Sequence, residues 1–209
     1  GLEAVIYAGL ASKEADAAAK AALMQKANEK LAVVKAAKDD TLDWDSEFAK
    51  ASSGAAELQA KADAGPSNDN IVALKKQVAA NKEDTTALFN LAMAYQEVSN
   101  WDGAALAWQK MNDLLPTWEP AYYSKGYALQ QAGYKELAAV AFQKYIDVAL
   151  TKTPAEQQAL QETLFGAYYS VAYLLHTTDK VKANEALQKA LAMKPDDKNS
   201  LLLQKELMK

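Results

Sequence analysis

From Thr85 onward, apolar stripes at helical spacing alternate with short punctuated breaks, and this alternation constrains the fold more than any other feature of the chain. Leu88, Leu91, Ala92 and Tyr95 share one face before Ser99, Asn100, Trp101, Asp102 and Gly103 interrupt the pattern. Ala104, Leu106, Ala107, Trp108 and Met111 form a second stripe that stops at Leu115 and Pro116. The same sequence of events repeats after Pro120. Tyr122, Tyr123, Gly126, Tyr127 and Leu129 lead, Gly133 turns the chain, and Leu137, Ala138, Val140, Ala141, Phe142, Tyr145 and Ile146 return. Two stripes joined by a short turn are a helical hairpin, whose apolar faces can be buried only against each other and against neighbouring hairpins.

A third hairpin has a longer lead-in. Thr153 as N-cap with Pro154 at the first helical position predicts a helix running through Leu160, Leu164, Phe165, Tyr168, Tyr169, Ala172 and Leu175. That helix exceeds its counterparts, so the unit carries an insertion. His176, Thr177, Thr178 and Asp179 make the turn, and Ala183, Ala186, Leu187, Ala190 and Leu191 return. A last helix from Leu201 to Met208 is expected to cover the open end, as the terminal unit of a stack requires. Upstream, the segment from Ala73 to Asp84 aligns without a gap on Ala186 to Asp197, and so reads as the second helix of a degenerate unit. Its first helix would span about 45–63, with Gly65, Pro66 and Ser67 as the turn. A long helix from Ala15 to Lys38, a short one carrying Leu2, Val5, Ile6 and Leu10, and a break at Asp39 to Thr41 complete the N-terminal reading.

Composition agrees with an all-α chain. Alanine is abundant, whereas only 8 glycines and 5 prolines occur in 209 residues. The net charge of −4 comes from 27 acidic and 23 basic side chains mixed along the sequence. Without a basic stripe, nucleic acid is a poor partner. No run of apolar residues is long enough for a transmembrane segment. The absence of cysteine excludes disulfides and thiol chemistry. The chain opens on Gly1, read as the trace of a removed segment, either a cloning scar or a secretory leader. With the cysteine-free, alanine-rich composition, this sets an expectation of an exported or periplasmic location over a cytoplasmic one.

These hairpins resemble the tetratricopeptide repeat (TPR), a helix-turn-helix of roughly 34 residues. Leu88, Leu91, Ala92, Tyr95, Ala104, Trp108 and Pro116 match its pattern in the first clear unit, with Met111 where a small residue is usual. Tyr122, Gly126, Ala138 and Phe142 match in the next, from which Lys125, Tyr145 and Leu150 depart. Ala183, Leu187, Ala190 and Pro195 match in the last. The resemblance implies a right-handed superhelical stack of antiparallel helix pairs, a TPR-like α-solenoid. It divides the chain into degenerate pairs over 1–84 and three units over 85–118, 119–152 and 163–197, with a covering helix to 209.

It also implies a protein-binding scaffold, with the first helix of each pair lining a concave face. Carried onto this chain, that groove comprises Phe89, Asn90, Met93, Gln96, Tyr123, Tyr127, Gln130, Tyr168, Ala172 and His176. Aromatic side chains give large contact areas at low entropic cost. With Phe89 and Met93 where carboxylate-clamping members carry lysine, arginine or asparagine, an apolar or extended segment, or a partner's helix, is the expected guest. The alternative is that the aromatics are mostly core and the apolar surface serves self-association as a homo-oligomer.

Chemistry is the weakest reading. His176, the only histidine, has no nucleophile or second base at a pairing distance in sequence, and a helix cap or surface position accounts for it. The acidic run Asp39, Asp40, Asp43, Asp45 and Glu47 lacks the central glycine and terminal glutamate of a calcium loop, so helix capping is its expected use. No enzyme, cofactor or metal is expected.

Overall fold

The computed structural model describes residues 58–208, together with Gln25 and Glu29. The chain divides into two compact units, residues 1–64 and 65–209. Of the first unit, 58–64 is helical, with Gln59 Nε2 donating to Asp63 at 2.9 Å. The helices expected before residue 58 and the acidic run at Asp39–Glu47 lie outside the described residues.

The second unit consists of nine described helices: α1 (Asp69–Ala80), α2 (Thr85–Glu97), α3 (Trp101–Leu114), α4 (Glu119–Gln131), α5 (Lys135–Ala149), α6 (Pro154–Ala159), α7 (Gln161–Leu175), α8 (Lys180–Met193) and α9 (Lys198–Leu207). No strand occurs among the described residues. Each long helix packs on the next, with α7 taking up α5 across the short α6. The fold is thus an all-α stack of helix pairs of TPR-like type. Pairs repeat on a fixed step: α2 begins at residue 85 and α4 at 119, α3 at 101 and α5 at 135.

Local chemistry sets these boundaries. Asn68, Asp84, Asn100, Asp179 and Asp197 each accept a backbone N–H in the first turn of the helix that follows, satisfying a donor with no intrahelical partner. The covering helix therefore starts at Lys198 rather than Leu201, because Asp197 accepts from Ser200 N at 2.8 Å. The turns of the first two clear pairs are equivalent. Ser99 (φ 59°) and Gly133 (φ 88°) occupy the left-handed region, and Asn100 N and Tyr134 N reach back to Tyr95 O and Leu129 O, both at 2.9 Å.

The pairs share one interior. Leu88, Ala92, Ala104, Trp108, Ala121, Leu129, Phe142 and Ile146 are all buried. A Cβ on Gly126 would stand 3.0 Å from the Phe142 ring, so hydrogen at this position is what lets α4 and α5 close. In the last pair Ala183, Ala186, Leu187 and Ala190 face α7, and α9 covers α8 with Leu203 and Ser200.

The single long helix expected between Thr153 and Leu175 is two helices. Thr153 and Glu156 form a reciprocal capping box, which starts α6 as the sequence implies. Gln157 Nε2 then donates to Leu150 O at 3.0 Å and Lys152 O at 2.7 Å, binding α6 to the loop before it. At Leu160 (φ −92°, ψ 4°) the helix breaks, and α7 restarts at Gln161. No residue of α6 is buried, so no packing holds it in line with α7.

Candidate functional site

Helices α2, α4 and α7 lead their pairs and carry the residues expected to line a groove. On α2, Asn90 and Met93 stand exposed beside a cleft of about 230 Å³, whose other walls are Asn70 and Leu74 of α1 and Ala94 and Glu97 of α2. Phe89, 40% exposed, lies edge-on to Trp108 (5.4 Å between centroids) and tilted against Trp118 (6.5 Å). Part of its ring is therefore already engaged. Gln96 is half-buried near the end of the same helix.

The α4 residues divide. Tyr123 is half-buried and meets Phe142 and Tyr145 edge-on at 5.3 and 5.2 Å. Burial pushes its hydroxyl above the ordinary tyrosine range, as it does for Tyr145. Tyr127, one turn on, is 44% exposed and rests edge-on against Trp101 at 5.8 Å. Gln130 is half-buried.

On α7, Tyr168 is half-buried, its hydroxyl pushed up by desolvation and then by Asp147, and Ala172 is fully buried. His176 follows the last turn. Its Nδ1 lies 2.6 Å from Tyr173 O and its ring stacks on Tyr173 at 5.7 Å, which makes it part of the helix end. Among the described residues no group of three or more His, Asp or Glu converges as a metal site would require.

Thus Asn90 and Met93 meet in one cleft, Phe89 and Tyr127 present part of a ring each, and Tyr123 is engaged in helix packing. The expected set did not include Asn70, Leu74, Ala94 and Glu97, which complete the cleft, or Tyr169 and Tyr173. Those two tyrosines stack at 6.1 Å and 18° along α7. The signal for them was present as Phe165, Tyr169 and Tyr173, spaced four residues apart on one helix face.

Two ion pairs tie the start of a leading helix to the loop after its return helix. Lys152 Nζ reaches the largely buried Glu119 at 2.9 Å, and hydrogen bonding to that carboxylate raises the lysine pKa. Lys194 Nζ bonds Glu162 at 2.6 Å and sits 4.5 Å over the Phe165 ring.

The packing of successive helix pairs defines a helical-repeat protein of TPR-like type. No family model matches the chain, and no curated protein matches it. Among solved structures it is similar to that of MamA, at 22% identity over 66% of this chain and 84% of that one, with a TM-score of 0.48.

Proposed function

We propose that the chain is a non-catalytic scaffold that holds a segment of another protein along its leading helices. The cleft between α1 and α2 is the observation that carries this reading. Asn70 and Asn90 each bring a carboxamide able to donate and accept, the pairing a peptide backbone needs, while Leu74 and Met93 supply apolar wall. Glu97 is the single ionisable residue lining it among those described. An internal segment suits such a cleft better than a chain end, whose carboxylate would meet another carboxylate. Phe89 and Tyr127 extend the contact surface beyond the cleft, with Gln96, Gln130, Tyr168 and His176 as flanking polar groups.

The test is selection of peptides from a random display library on the purified chain, followed by titration of the recovered sequences. Asn90→Ala with Met93→Ala should weaken them about tenfold or more, the loss of one hydrogen-bonded anchor and one apolar contact. The melting temperature should stay unchanged, since both side chains are exposed. Undiminished binding by this double variant rejects the cleft.

Self-association is supported by a separate observation. Val140 (67% exposed), Val181 (70%) and Met208 (78%) present apolar side chains to solvent on α5, α8 and the chain end. Light scattering at two concentrations separates the readings, because a strict monomer excludes this one.

A further inference from the structure

One face of α7 carries an unbroken row of rings. Phe165, Tyr169, Tyr173 and His176 follow one another along it, and the last three rings are nearly parallel, at 18° and 23°. Their centroids are 6.1 and 5.7 Å apart, the spacing of offset rings in contact, so any ring surface left open lies on the solvent side of the row. Tyr173 is 48% exposed.

The first ring of the row shows what the face accepts. Lys194 lies over Phe165 while bonded to the Glu162 carboxylate, a cation held between a ring and an acid. The next rings repeat that combination without a cation. Tyr169 feels the negative charges of Asp197 and Glu206, which add to burial in raising its hydroxyl pKa. Among the described residues, no lysine lies over Tyr169 or Tyr173.

We propose that the face formed by Tyr169, Tyr173 and His176, with Asp197 and Glu206 beside it, is a docking point for an arginine side chain of a partner protein. A guanidinium is planar, delocalised and weakly hydrated, so it stacks on parallel rings where an ammonium would keep its water. The same cation answers the two carboxylates. These 209 residues contain no arginine, so a second copy of them does not supply the group. The inference is independent of the α1–α2 cleft.

The full chain, with its single histidine as a reporter, provides the experiment. The probe is the blocked tripeptide acetyl-Gly-Arg-Gly-amide, with lysine and citrulline counterparts, and the readout is the His176 imidazole proton signal in NMR titration. The arginine peptide should shift that signal saturably, the lysine peptide more weakly, and the neutral citrulline peptide not at all. Raising the salt concentration should weaken the response. Tyr173→Ala should abolish it and Tyr173→Phe should keep it within about twofold, while Glu206→Gln should weaken it roughly two- to fivefold. Circular dichroism confirms that each variant is folded. Asn90→Ala with Met93→Ala should leave this titration unchanged. Equal shifts from arginine and citrulline, an unaltered response in Tyr173→Ala, or a His176 shift that follows protein concentration without peptide would overturn the proposal, the last by assigning the face to a second copy.

Discussion

The pairs α4–α5 and α7–α8 differ in what their return helices bring to the interior. In α4–α5 the return helix carries the bulk: Phe142 and Tyr145 fill the interior, and Gly126 on the leading helix makes room for them. In α7–α8 the return helix offers only Ala183, Ala186, Leu187 and Ala190. The rings belong to the leading helix, where Tyr169 and Tyr173 stack along the outside. What stands across from a leading-helix ring thus differs in size between the two pairs. Tyr123 and Tyr168 hold matching positions, yet Tyr123 lies against two rings of its return helix, while the corresponding residues opposite Tyr168 are Leu187 and Ala190.

This contrast can be broken or sharpened in order of effect. Phe142→Ala should cost about 3–5 kcal/mol in urea unfolding, because the fully buried ring packs against Tyr123 and Gly126 and its removal leaves a cavity between α4 and α5. Leu187→Ala should cost about 2–3 kcal/mol, with hydrogen exchange accelerated in α8 and α9 but not in α2 to α5. Equal costs, or equal spread of exchange, would dissolve the distinction between the pairs. On the leading helix α4, Tyr123→Ala should destabilise by about 2 kcal/mol through lost ring contacts. Tyr127→Ala should stay within about 0.5 kcal/mol. A reversed order would make Tyr127 the structural residue.

The smallest effect is acid sensitivity. Asp179 is held below the usual carboxylate range chiefly by the Lys182 backbone N–H, and Glu156 by the Thr153 hydroxyl and then its N–H. A lowered folded pKa means the stabilisation is complete above the ordinary carboxylate value and fades as pH falls through the folded one. The starts of α6 and α8 should therefore fray below about pH 4, seen as faster amide exchange at Glu156 and Lys182. The starts of α4 and α5, at Trp118 and Tyr134, have no side-chain cap and should not respond.

Most of the repeat architecture was legible because each hairpin declares itself locally, with an apolar stripe, a Gly, Ser or Asn turn, and a capping residue. The break at Leu160 was not. The residues around it have ordinary helix propensity, and what ends α6 is the pull of Gln157 on carbonyls behind it together with the absence of any buried face. The candidate site was legible only in part. Spacing shows that Tyr123, Tyr127, Tyr169 and Tyr173 lie on leading helices, but the fate of each ring depends on the neighbouring helix. Asn70 and Leu74 entered the cleft from a helix whose repeat pattern is degenerate, so nothing in their own spacing marked them.

The turns of the first two clear pairs are also fastened backwards. Asn100 Nδ2 donates to Pro66 O at 3.0 Å, and Tyr134 donates its hydroxyl to Asp102 at 3.0 Å. Each clasp ties a turn to a residue one repeat earlier, so that a hairpin cannot unzip without releasing its predecessor. Over these pairs the array should melt as one block rather than bead by bead, with calorimetric and van't Hoff enthalpies in agreement. Tyr134→Phe, which keeps the ring and removes the clasp, should let the transition separate into steps.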